Sequence, residues 1–379
     1  MRPCSLVMLT LLPACAIAGP FSYFQTNLVS DGAVPANMID PDLRNPWGIS
    51  FGPTTPFWIA DNAAGLATLY AGDGTKQGLV VTIPPAPGSP VGTQSTPTGT
   101  VFNGGSGTFL NDRFLFATED GTIIGWQGSL GTSGAVRVDN SAGGSVFKGL
   151  AIAGTRIYAT DFANATVRVF DSSYAPVSLP GGFTDPNLPS GYSPFGIQNI
   201  GGSIYVTYAL KQAGGNDDVP GPGFGFVDRY DTNGILLQRL VVGIPGNPSS
   251  PLNAPWGMAL APAGFGDLGG LFLVGNFGDG LINAFDPVTG AFVSSLKDQN
   301  GIPFQNDGLW ALTFGNNGPG FSSQTLYFTA GLNDETDGLF GSIASVAPEP
   351  GTLLLVPGAL LLGLAVVAAR RSRQVQKAA

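Results

Sequence analysis

Histidine is absent from the 379-residue sequence, and there are only two cysteines, Cys4 and Cys15. Without histidine, the chain has no Ser-His-Asp triad, no Cys-His protease pair and no histidine-ligated zinc. Charged residues make up only 11 % of the sequence, against about 25 % in an average soluble domain. The absence of histidine therefore excludes enzymes that depend on these histidine-containing sites, before any motif is considered.

Glycine and proline are abundant: 57 Gly and 31 Pro make up about 23 % of the chain. Their average share is about 12 %. With 43 % hydrophobic residues and 25 Phe, the chain has enough apolar material for a large core, which argues against disorder. This composition predicts an all-β protein of short strands joined by many tight turns.

The amino terminus has the pattern of a secretory signal. Arg2 precedes an apolar run that ends in Ala16-Ile17-Ala18, and a small-x-small sequence of this kind is the usual cleavage site. We therefore predict a signal peptide over residues 1–18. A lipoprotein signal ending at Cys15 and a buried amino-terminal strand are the alternatives. Both cysteines lie in this segment, so cleavage would leave a chain without thiols.

The carboxyl terminus has the pattern of a membrane span. Residues 353–369 are all apolar or small, and Arg370 and Arg371 follow directly. Seventeen helical residues reach about 26 Å, the lower limit for crossing a bilayer. The arginines predict that the basic end, residues 370–379, stays in the cytoplasm. A buried carboxyl-terminal helix is the alternative.

Pro348, Glu349 and Pro350 stand just before this apolar run. The tripeptide, the span and the terminal arginines, in that order, resemble the PEP-CTERM sorting signal of exopolysaccharide-producing Gram-negative bacteria. The resemblance implies that residues 347–379 are a sorting tail, and that the exported chain is anchored in the inner membrane with its domain in the periplasm. It also implies export by the Sec machinery, cleavage by an exosortase near Pro348, and delivery to the cell surface or matrix.

The region between these ends is acidic. Five of the 16 basic residues and one of the 25 acidic residues lie in the two ends, which leaves a net charge of −13 for residues 19–346. Binding to nucleic acid requires basic patches. We therefore expect no nucleic-acid partner.

A two-strand unit recurs six times along residues 19–346. The first strands are predicted at 46–49, 99–102, 147–151, 194–197, 255–258 and 309–312. The second strands are predicted at 57–60, 114–117, 157–160, 204–207, 271–274 and 326–329. A period of about 45 to 60 residues is typical of propeller blades. We predict a single six-bladed β-propeller over 19–346, in which residues 21–29 complete the last blade and so leave no free sheet edge there.

The repeated residues resemble those of NHL and SMP-30-type propellers. The matching segments are 45–48 (NPWG), 148–151 (KGLA), 253–257 (NAPWG) and 274–280 (VGNFGDG). The whole of 20–346 resembles an uncharacterised family of propellers that are often attached to PEP-CTERM tails. The resemblance implies the fold and the destination of the chain, and little about its activity.

In propellers of this type, ligands bind at the face where the first strands begin. A ring of carboxylates and amides without His or Cys favours calcium over zinc or copper. The candidate metal ligands are Glu119, Asp161, Asn253 and Asn276. The resemblance to SMP-30-like lactonases implies such an ion site. The alternative is that these Asp and Asn side chains only cap tight turns.

Further candidates for ligand contacts at the same face are Asn45, Asp61, Trp47, Trp256 and Trp310. The three tryptophans occupy equivalent positions in their repeats. They are expected either to stack on sugars at the channel mouth or to pack between blades.

No catalytic residue set is predicted. The sequence favours a non-catalytic module that binds polysaccharide or another matrix component, or has a structural role in the matrix. A calcium-dependent SMP-30-like lactonase or related hydrolase is the alternative, and it rests on fold analogy alone.

Overall fold

The chain folds into six mainly antiparallel sheets arranged as the blades of a β-propeller. In the computed structural model, residues 22–318 and 321–347 are described. Within them, Tyr23–Ser345 forms one compact unit. The predicted signal peptide with Ala16 and Ala18, the Pro-Glu-Pro motif and the apolar run 353–369 with Arg370 and Arg371 lie outside the described residues. Among the described residues, no helix is long and apolar enough to cross a bilayer.

The first two strands belong to the last blade, and the other strands follow blade by blade. The opening strands are β1 (Ser22–Ser30) and β2 (Met38–Ile39). Blade 1 contains β3 (Pro46–Ser50), β4 (Phe57–Asp61), β5 (Leu66–Tyr70) and β6 (Val81–Thr82). Blade 2 contains β7 (Pro97–Phe102), β8 (Phe114–Thr118), β9 (Thr122–Trp126) and β10 (Ala135–Asp139). Blade 3 contains β11 (Phe147–Ala153), β12 (Arg156–Asp161) and β13 (Thr166–Asp171).

The second half of the ring is built in the same way. Blade 4 contains β14 (Tyr192–Ile200), β15 (Ser203–Leu210), β16 (Phe226–Tyr230) and β17 (Leu236–Val242). Blade 5 contains β18 (Pro255–Leu260), β19 (Phe272–Asn276), β20 (Ile282–Phe285) and β21 (Phe292–Ser295). Blade 6 contains β22 (Leu309–Phe314), β23 (Thr325–Gly331) and β24 (Asp337–Val346), and it is completed by β1. The helical segments are single turns at Asn62–Ala64, Phe109–Asn111, Gly128–Leu130, Ser141–Gly143, Gly266–Leu268 and Leu332–Glu335.

The predicted six-bladed propeller is thus confirmed. Eleven of the twelve predicted first and second strands lie within observed strands, and the twelfth, 271–274, begins one residue before β19. The expected closure is also observed, because β1 pairs with β24 in the sheet of blade 6. At the inner side of the same junction, the Thr329 hydroxyl of blade 6 donates a hydrogen bond of 2.5 Å to the Trp47 carbonyl of blade 1. The ring is therefore closed at both its inner and its outer circumference.

The six first strands line a central channel and pack directly on one another around it. In five of the six blades a glycine at the equivalent position makes this approach possible, whereas blade 6 has Ala311 there. A Cβ at Gly196 would lie only 2.1 Å from the Trp256 carbonyl oxygen of the next blade. In four blades this glycine belongs to a Pro-x-Gly motif, whose proline begins β3, β7 and β18 and lies within β14. The motif suits an innermost edge strand, where the missing N–H costs no ladder hydrogen bond.

Alternating side chains of each strand face opposite neighbouring blades. In β12, Ile157 and Ala159 belong to the apolar cluster shared with blade 2, whereas Tyr158 belongs to the cluster shared with blade 4. This is the period of two expected for a strand that is buried on both faces. Six such clusters lie between neighbouring blades, and a seventh fills part of the channel.

Blade 3 differs from the others because its sheet has three strands. The chain follows β13 only briefly, with a hydrogen bond of 2.8 Å from the Val177 N–H to the Val169 carbonyl. Pro176 and Pro180 flank this contact, and proline has no N–H with which to extend a ladder. The fourth strand is therefore reduced to a bridge.

Candidate functional site

The channel has two ends, and the first strands define them. We call the side where these strands begin the start face and the side where they end the end face. Within the channel, an aromatic cluster lies behind the start face. The Trp47 and Trp310 rings stack at 3.6 Å between centroids, and Trp256 meets both rings edge-on at 6.2 and 5.8 Å.

Burial shows what the three tryptophans do. Trp47 and Trp310 are 2 % and 1 % exposed, and Trp256 is 9 % exposed. The Trp310 Nε1–H donates to Asn45 Oδ1, and the Trp256 Nε1–H donates to the Lys148 carbonyl. The rings therefore pack on one another inside the channel, and their faces are not presented at the start face as a platform for sugars.

Lys148 is the central charge of the start face. Its Nζ lies 2.5 Å from Glu119 Oε1 and 5.1 Å from the centroid of the Trp47 ring. Burial opposes the charge of Lys148, yet its pKa is raised because Glu119 lies so close. Lys148 is therefore a cation at neutral pH, and it cannot act as a nucleophile or base in this state.

Amide side chains extend this ion pair across the mouth. The second oxygen of Glu119 accepts a hydrogen bond of 3.0 Å from Asn62 Nδ2. Asn45 Nδ2 donates to Asn62 Oδ1 at 3.3 Å and to Glu335 Oε2 at 2.7 Å. Burial raises the pKa of Glu335 above its ordinary value. Asn45, which was predicted to contact a ligand, is thus buried and fully engaged within the protein.

Asp61 and Asp161 occupy the same position in their blades, the last residue of the second strand. Both are completely buried. Asp61 accepts hydrogen bonds from the N–H and hydroxyl of Thr68, and burial raises its pKa well above the ordinary value. Asp161 accepts from Ser145 at 2.8 Å and pairs with Arg168 at 3.0 Å. Each carboxyl group therefore ties together segments of its own blade.

Asn276 holds the equivalent position in blade 5. Its Nδ2 donates to the Pro251 carbonyl at 3.0 Å, and its Oδ1 is buried without a hydrogen-bond partner. Asn253 Oδ1 accepts a hydrogen bond of 2.6 Å from the Gly221 N–H. These two side chains hold the loop that leads into β18.

The four predicted metal ligands do not fit a calcium site. Lys148 and Asn62 engage the carboxylate of Glu119, Arg168 pairs with Asp161, and a backbone N–H occupies the Asn253 oxygen. Only Asn276 offers an oxygen that lacks a partner. Across residues 22–318 and 321–347, no group of three or more acidic, His or Cys side chains is arranged to hold a metal ion. The geometry thus matches the alternative interpretation, in which these side chains stabilise loops and turns.

A cavity of about 280 Å³ occupies the other half of the channel, towards the end face. Residues of all six first strands line it, from Gly48 in blade 1 to Thr313 in blade 6. Trp256, whose Nε1–H donates to the Lys148 carbonyl, also lines it. We call this space the channel cavity.

The lining of the channel cavity is uncharged, and it combines apolar residues with hydroxyl and amide side chains. The Ser50 and Thr100 hydroxyls lie 2.9 Å apart, and Asn199 Nδ2 donates to the Ile152 carbonyl at 2.9 Å. Phe51, Phe102 and Trp256 supply aromatic surface. None of the described residues that line the cavity has an ionisable side chain. The cavity can hydrogen-bond and stack a neutral ligand, but it contains no group for acid–base catalysis.

Sequence reasoning missed these residues because it considered only the start face. A signal was nevertheless present in the repeats. The fifth residue of the repeated motif, counted from Pro46, Pro194 or Leu309, is polar in three blades, as Ser50, Gln198 and Thr313. Since the neighbouring positions are mostly apolar, this recurrence marks a polar zone towards the end face.

Comparison with known sequences shows where the chain belongs. The uncharacterized protein R648 of Acanthamoeba polyphaga mimivirus is 33 % identical over 338 residues, which cover 83 % of this chain and 78 % of the relative. The uncharacterized protein L690 of the same virus is 32 % identical over 334 residues, with 83 % and 84 % covered. The chain belongs to the family of these mimivirus proteins. No protein-family profile matches it.

Solved structures show the same fold at low sequence identity. Streptogramin B lyase aligns with a TM-score of 0.50 and 13 % identity, over 86 % of this chain and 98 % of the lyase. A protein of unknown function from Bacteroides thetaiotaomicron aligns with a TM-score of 0.52 and 13 % identity, over 86 % and 76 %. At this identity, the likeness carries the propeller fold and no activity.

Proposed function

We propose that the chain is a non-catalytic binding module that holds a neutral, hydroxylated ligand, such as the terminal unit of a polysaccharide, in the channel cavity. The observation that carries this proposal is the lining of the cavity, which combines hydroxyl, amide and aromatic groups without an ionisable side chain. Its volume of about 280 Å³ is near the lower end of the range for ligand pockets, about 300–1,000 Å³. A small ligand or one end of a longer chain fits this space.

The charge distribution also supports a neutral ligand. A charged group in the cavity would lose its hydration without gaining an opposite charge, which is unfavourable. A sugar hydroxyl exchanges water for the Ser50, Gln198 and Thr313 side chains, while the sugar ring contacts aromatic carbon. Binding without turnover follows, because no lining residue can donate or accept a catalytic proton.

The sequence patterns at the two ends of the chain indicate where this module is delivered. Residues 1–18 and 347–379 have the patterns of a secretory signal and a PEP-CTERM tail. We propose that Sec export and exosortase processing deliver the propeller from the inner membrane to the cell surface or matrix of a Gram-negative bacterium. A polysaccharide ligand would be abundant there.

A calcium-dependent lactonase is not favoured. The predicted ligand residues Glu119 and Asp161 each pair with a cationic side chain, so their carboxylates are already neutralised within the protein. The channel cavity, in turn, has no acidic residue to bind an ion or activate water.

The test is calorimetric titration of the full-length protein with neutral mono- and oligosaccharides, comparing the wild type with Gln198→Leu. This change removes an amide from the cavity but keeps the side-chain volume. We expect about three- to tenfold weaker binding, the effect of one lost hydrogen bond. Gln212→Leu, an exposed position at the start face, serves as the control and should bind as the wild type does. If no neutral saccharide binds, or if Gln198→Leu binds unchanged, the proposal is wrong.

A further inference from the structure

A groove of about 770 Å³ lies on the outer side of the ring, where the first and last parts of the propeller meet. One wall is formed by Gln25, Thr26 and Asn27 of β1 and by residues 35–37. The other wall is formed by Asp298 and residues 302–305, which lead from blade 5 to blade 6. We call it the closure groove.

A row of hydrogen-bonded amides holds one wall of the groove in place. Gln25 and Asn306 exchange two hydrogen bonds, of 2.8 and 3.0 Å. Gln25 Nε2 also donates to Asn27 Oδ1 at 3.2 Å, and Asn27 Nδ2 donates to the Pro35 carbonyl at 3.1 Å. Since Gln25 and Asn27 are two residues apart on one strand, both point to the same side. Their amide planes are therefore fixed before any ligand arrives.

The side-chain amides of Asn37 and Gln305 also line the groove. Both side chains are exposed, and within the described residues they make no hydrogen bond. A carboxamide presents a donor and an acceptor in one plane. It can therefore bind two neighbouring hydroxyl groups at once.

The rest of the groove is apolar and carries little charge. Ile302 is 61 % exposed, and Pro303 and Phe304 lie next to it along the wall. No Lys or Arg stands among the described residues that line the groove. The carboxylate of Asp298 accepts hydrogen bonds from the N–H groups of Asn300 and Ile302 and so serves its own turn.

From this combination, we infer that the closure groove is a second binding site, which takes an extended stretch of a neutral polysaccharide. The preset amides bind the hydroxyl groups along one side of the glycan. The exposed Ile302 and Pro303 and the half-buried Phe304 contact the apolar faces of its rings. An anionic glycan finds no cation in the groove, so neutral chains are preferred.

An extended peptide is a poorer fit. A peptide would bind by adding a strand to the free edge of β1. That edge is already occupied from Asn27 onward, because the Asn37 N–H donates to the Asn27 carbonyl at 3.0 Å and the Asp40 N–H to the Ser30 carbonyl at 2.8 Å. Along its length, the groove therefore presents side-chain amides and not a free strand edge.

The groove is independent of the channel cavity. The two sites share no lining residue. They lie at opposite edges of blade 6, whose order is β22, β23, β24 and β1, so three strand spacings, about 15 Å, separate them. The proposed function can therefore fail without affecting this inference, and the reverse also holds.

Affinity electrophoresis of the full-length protein through gels containing neutral polysaccharides tests the inference. The probes are a dextran, a β-1,3-glucan, a xyloglucan and a galactomannan. The decisive variant is Asn37→Ala/Gln305→Ala, because these amides support no contact in the fold. We expect at least one polysaccharide to slow the wild type, and the apparent Kd for it to rise at least about tenfold in the variant. The melting temperature of the variant should match that of the wild type.

A control variant separates the outcomes. Gln212→Ala/Asn216→Ala removes two exposed amides at the start face and should be slowed as the wild type is. Equal slowing of Asn37→Ala/Gln305→Ala and the wild type would overturn the inference, as would passage of the wild type unslowed through all four gels. Displacement of the bound polysaccharide by an unstructured peptide would overturn the assignment to glycan.

Discussion

Lys148 Nζ lies 2.5 Å from Glu119 Oε1 at the start face and over the Trp47 ring, which stacks on Trp310. Lys148 is 3 % exposed, and Asp217 lies 3.7 Å from the same ammonium group. The positive charge of Lys148 therefore offsets the repulsion between the Glu119 and Asp217 carboxylates. In this way Lys148 stabilises the start face.

Replacing Lys148 by methionine should lower the free energy of unfolding by about 2–3 kcal/mol. The loss is below the usual 3–5 kcal/mol for a broken buried pair, because Glu119 keeps part of its surface in water. Urea denaturation measures the change. Lys297→Met, at an exposed lysine, is the control and should change stability by less than about 0.5 kcal/mol.

The double variant Lys148→Met/Glu119→Gln separates the ion pair from the general effect of each substitution. We expect it to be more stable than the sum of the single effects predicts, with a coupling energy of about 1–2 kcal/mol. Strict additivity would contradict the assignment of a stabilising ion pair.

Gly196→Ala should destabilise the propeller by about 1–3 kcal/mol, because the new Cβ would meet the Trp256 carbonyl oxygen at 2.1 Å and adjacent blades would have to move apart. Gly78→Ala is the matched control, since a Cβ there has no atom within 4 Å. Thermal unfolding of both variants measures the difference. Equal melting temperatures would show that the close approach of first strands is not needed.

Stability should also depend on pH through Asp228. Burial raises the pKa of this carboxyl group to about 7, and Asp185 contributes to the rise. Arg239 and Tyr230 lie beside it. Because the folded-state pKa is above the unfolded value, the stabilising contribution is complete below about pH 4 and is lost as the pH rises to 7.

Asp228→Asn removes this titration, so the variant should lose less stability than the wild type between pH 4 and pH 7. At pH 8 we expect it to be more stable than the wild type by about 2 kcal/mol. Urea unfolding at pH 5 and pH 8 gives the comparison, with the exposed Asp334→Asn as control. If the wild type instead gained stability relative to Asp228→Asn between pH 5 and pH 8, the prediction would be contradicted.

Calcium should leave the melting temperature unchanged. A site filled at 100 times its Kd would add about 2.7 kcal/mol, equivalent to a few degrees. The oxygens of Glu119 and Asp161 are already bonded within the protein, so we expect the same midpoint in millimolar calcium and in excess EDTA. A rise in calcium that disappears in Glu119→Gln would restore the metal-site hypothesis.

The architecture could be predicted from the sequence because the fold repeats. Neighbouring first strands approach so closely that five of the six have glycine at one position of the repeat, as at Gly48, Gly149 and Gly196, whereas blade 6 has Ala311 there. The blade count and the amino-terminal closing strand follow from these repeats. The reduced fourth strand of blade 3 was not foreseen, because it depends on two local prolines, Pro176 and Pro180, outside the repeated motif.

The candidate site was less predictable, because residue type does not reveal which way a side chain points. Asp61, Asp161 and Asn276 resemble ligands in the sequence, but the last position of the second strand faces inward and stabilises its own blade. Lys148 was read only as part of a repeated strand, although its charge dominates the start face. The closure groove combines segments about 280 residues apart, and no local pattern marks it.

The most direct test of a binding function without catalysis is to recover the ligand after binding. The full-length protein is equilibrated with the neutral saccharide that it binds best, and the saccharide is then released and analysed by mass spectrometry. We predict that it returns with unchanged mass after prolonged incubation, and that Gln198→Leu retains less of it. A saccharide returned with a cleaved bond or an altered mass, at a rate that depends on the protein, would contradict the account.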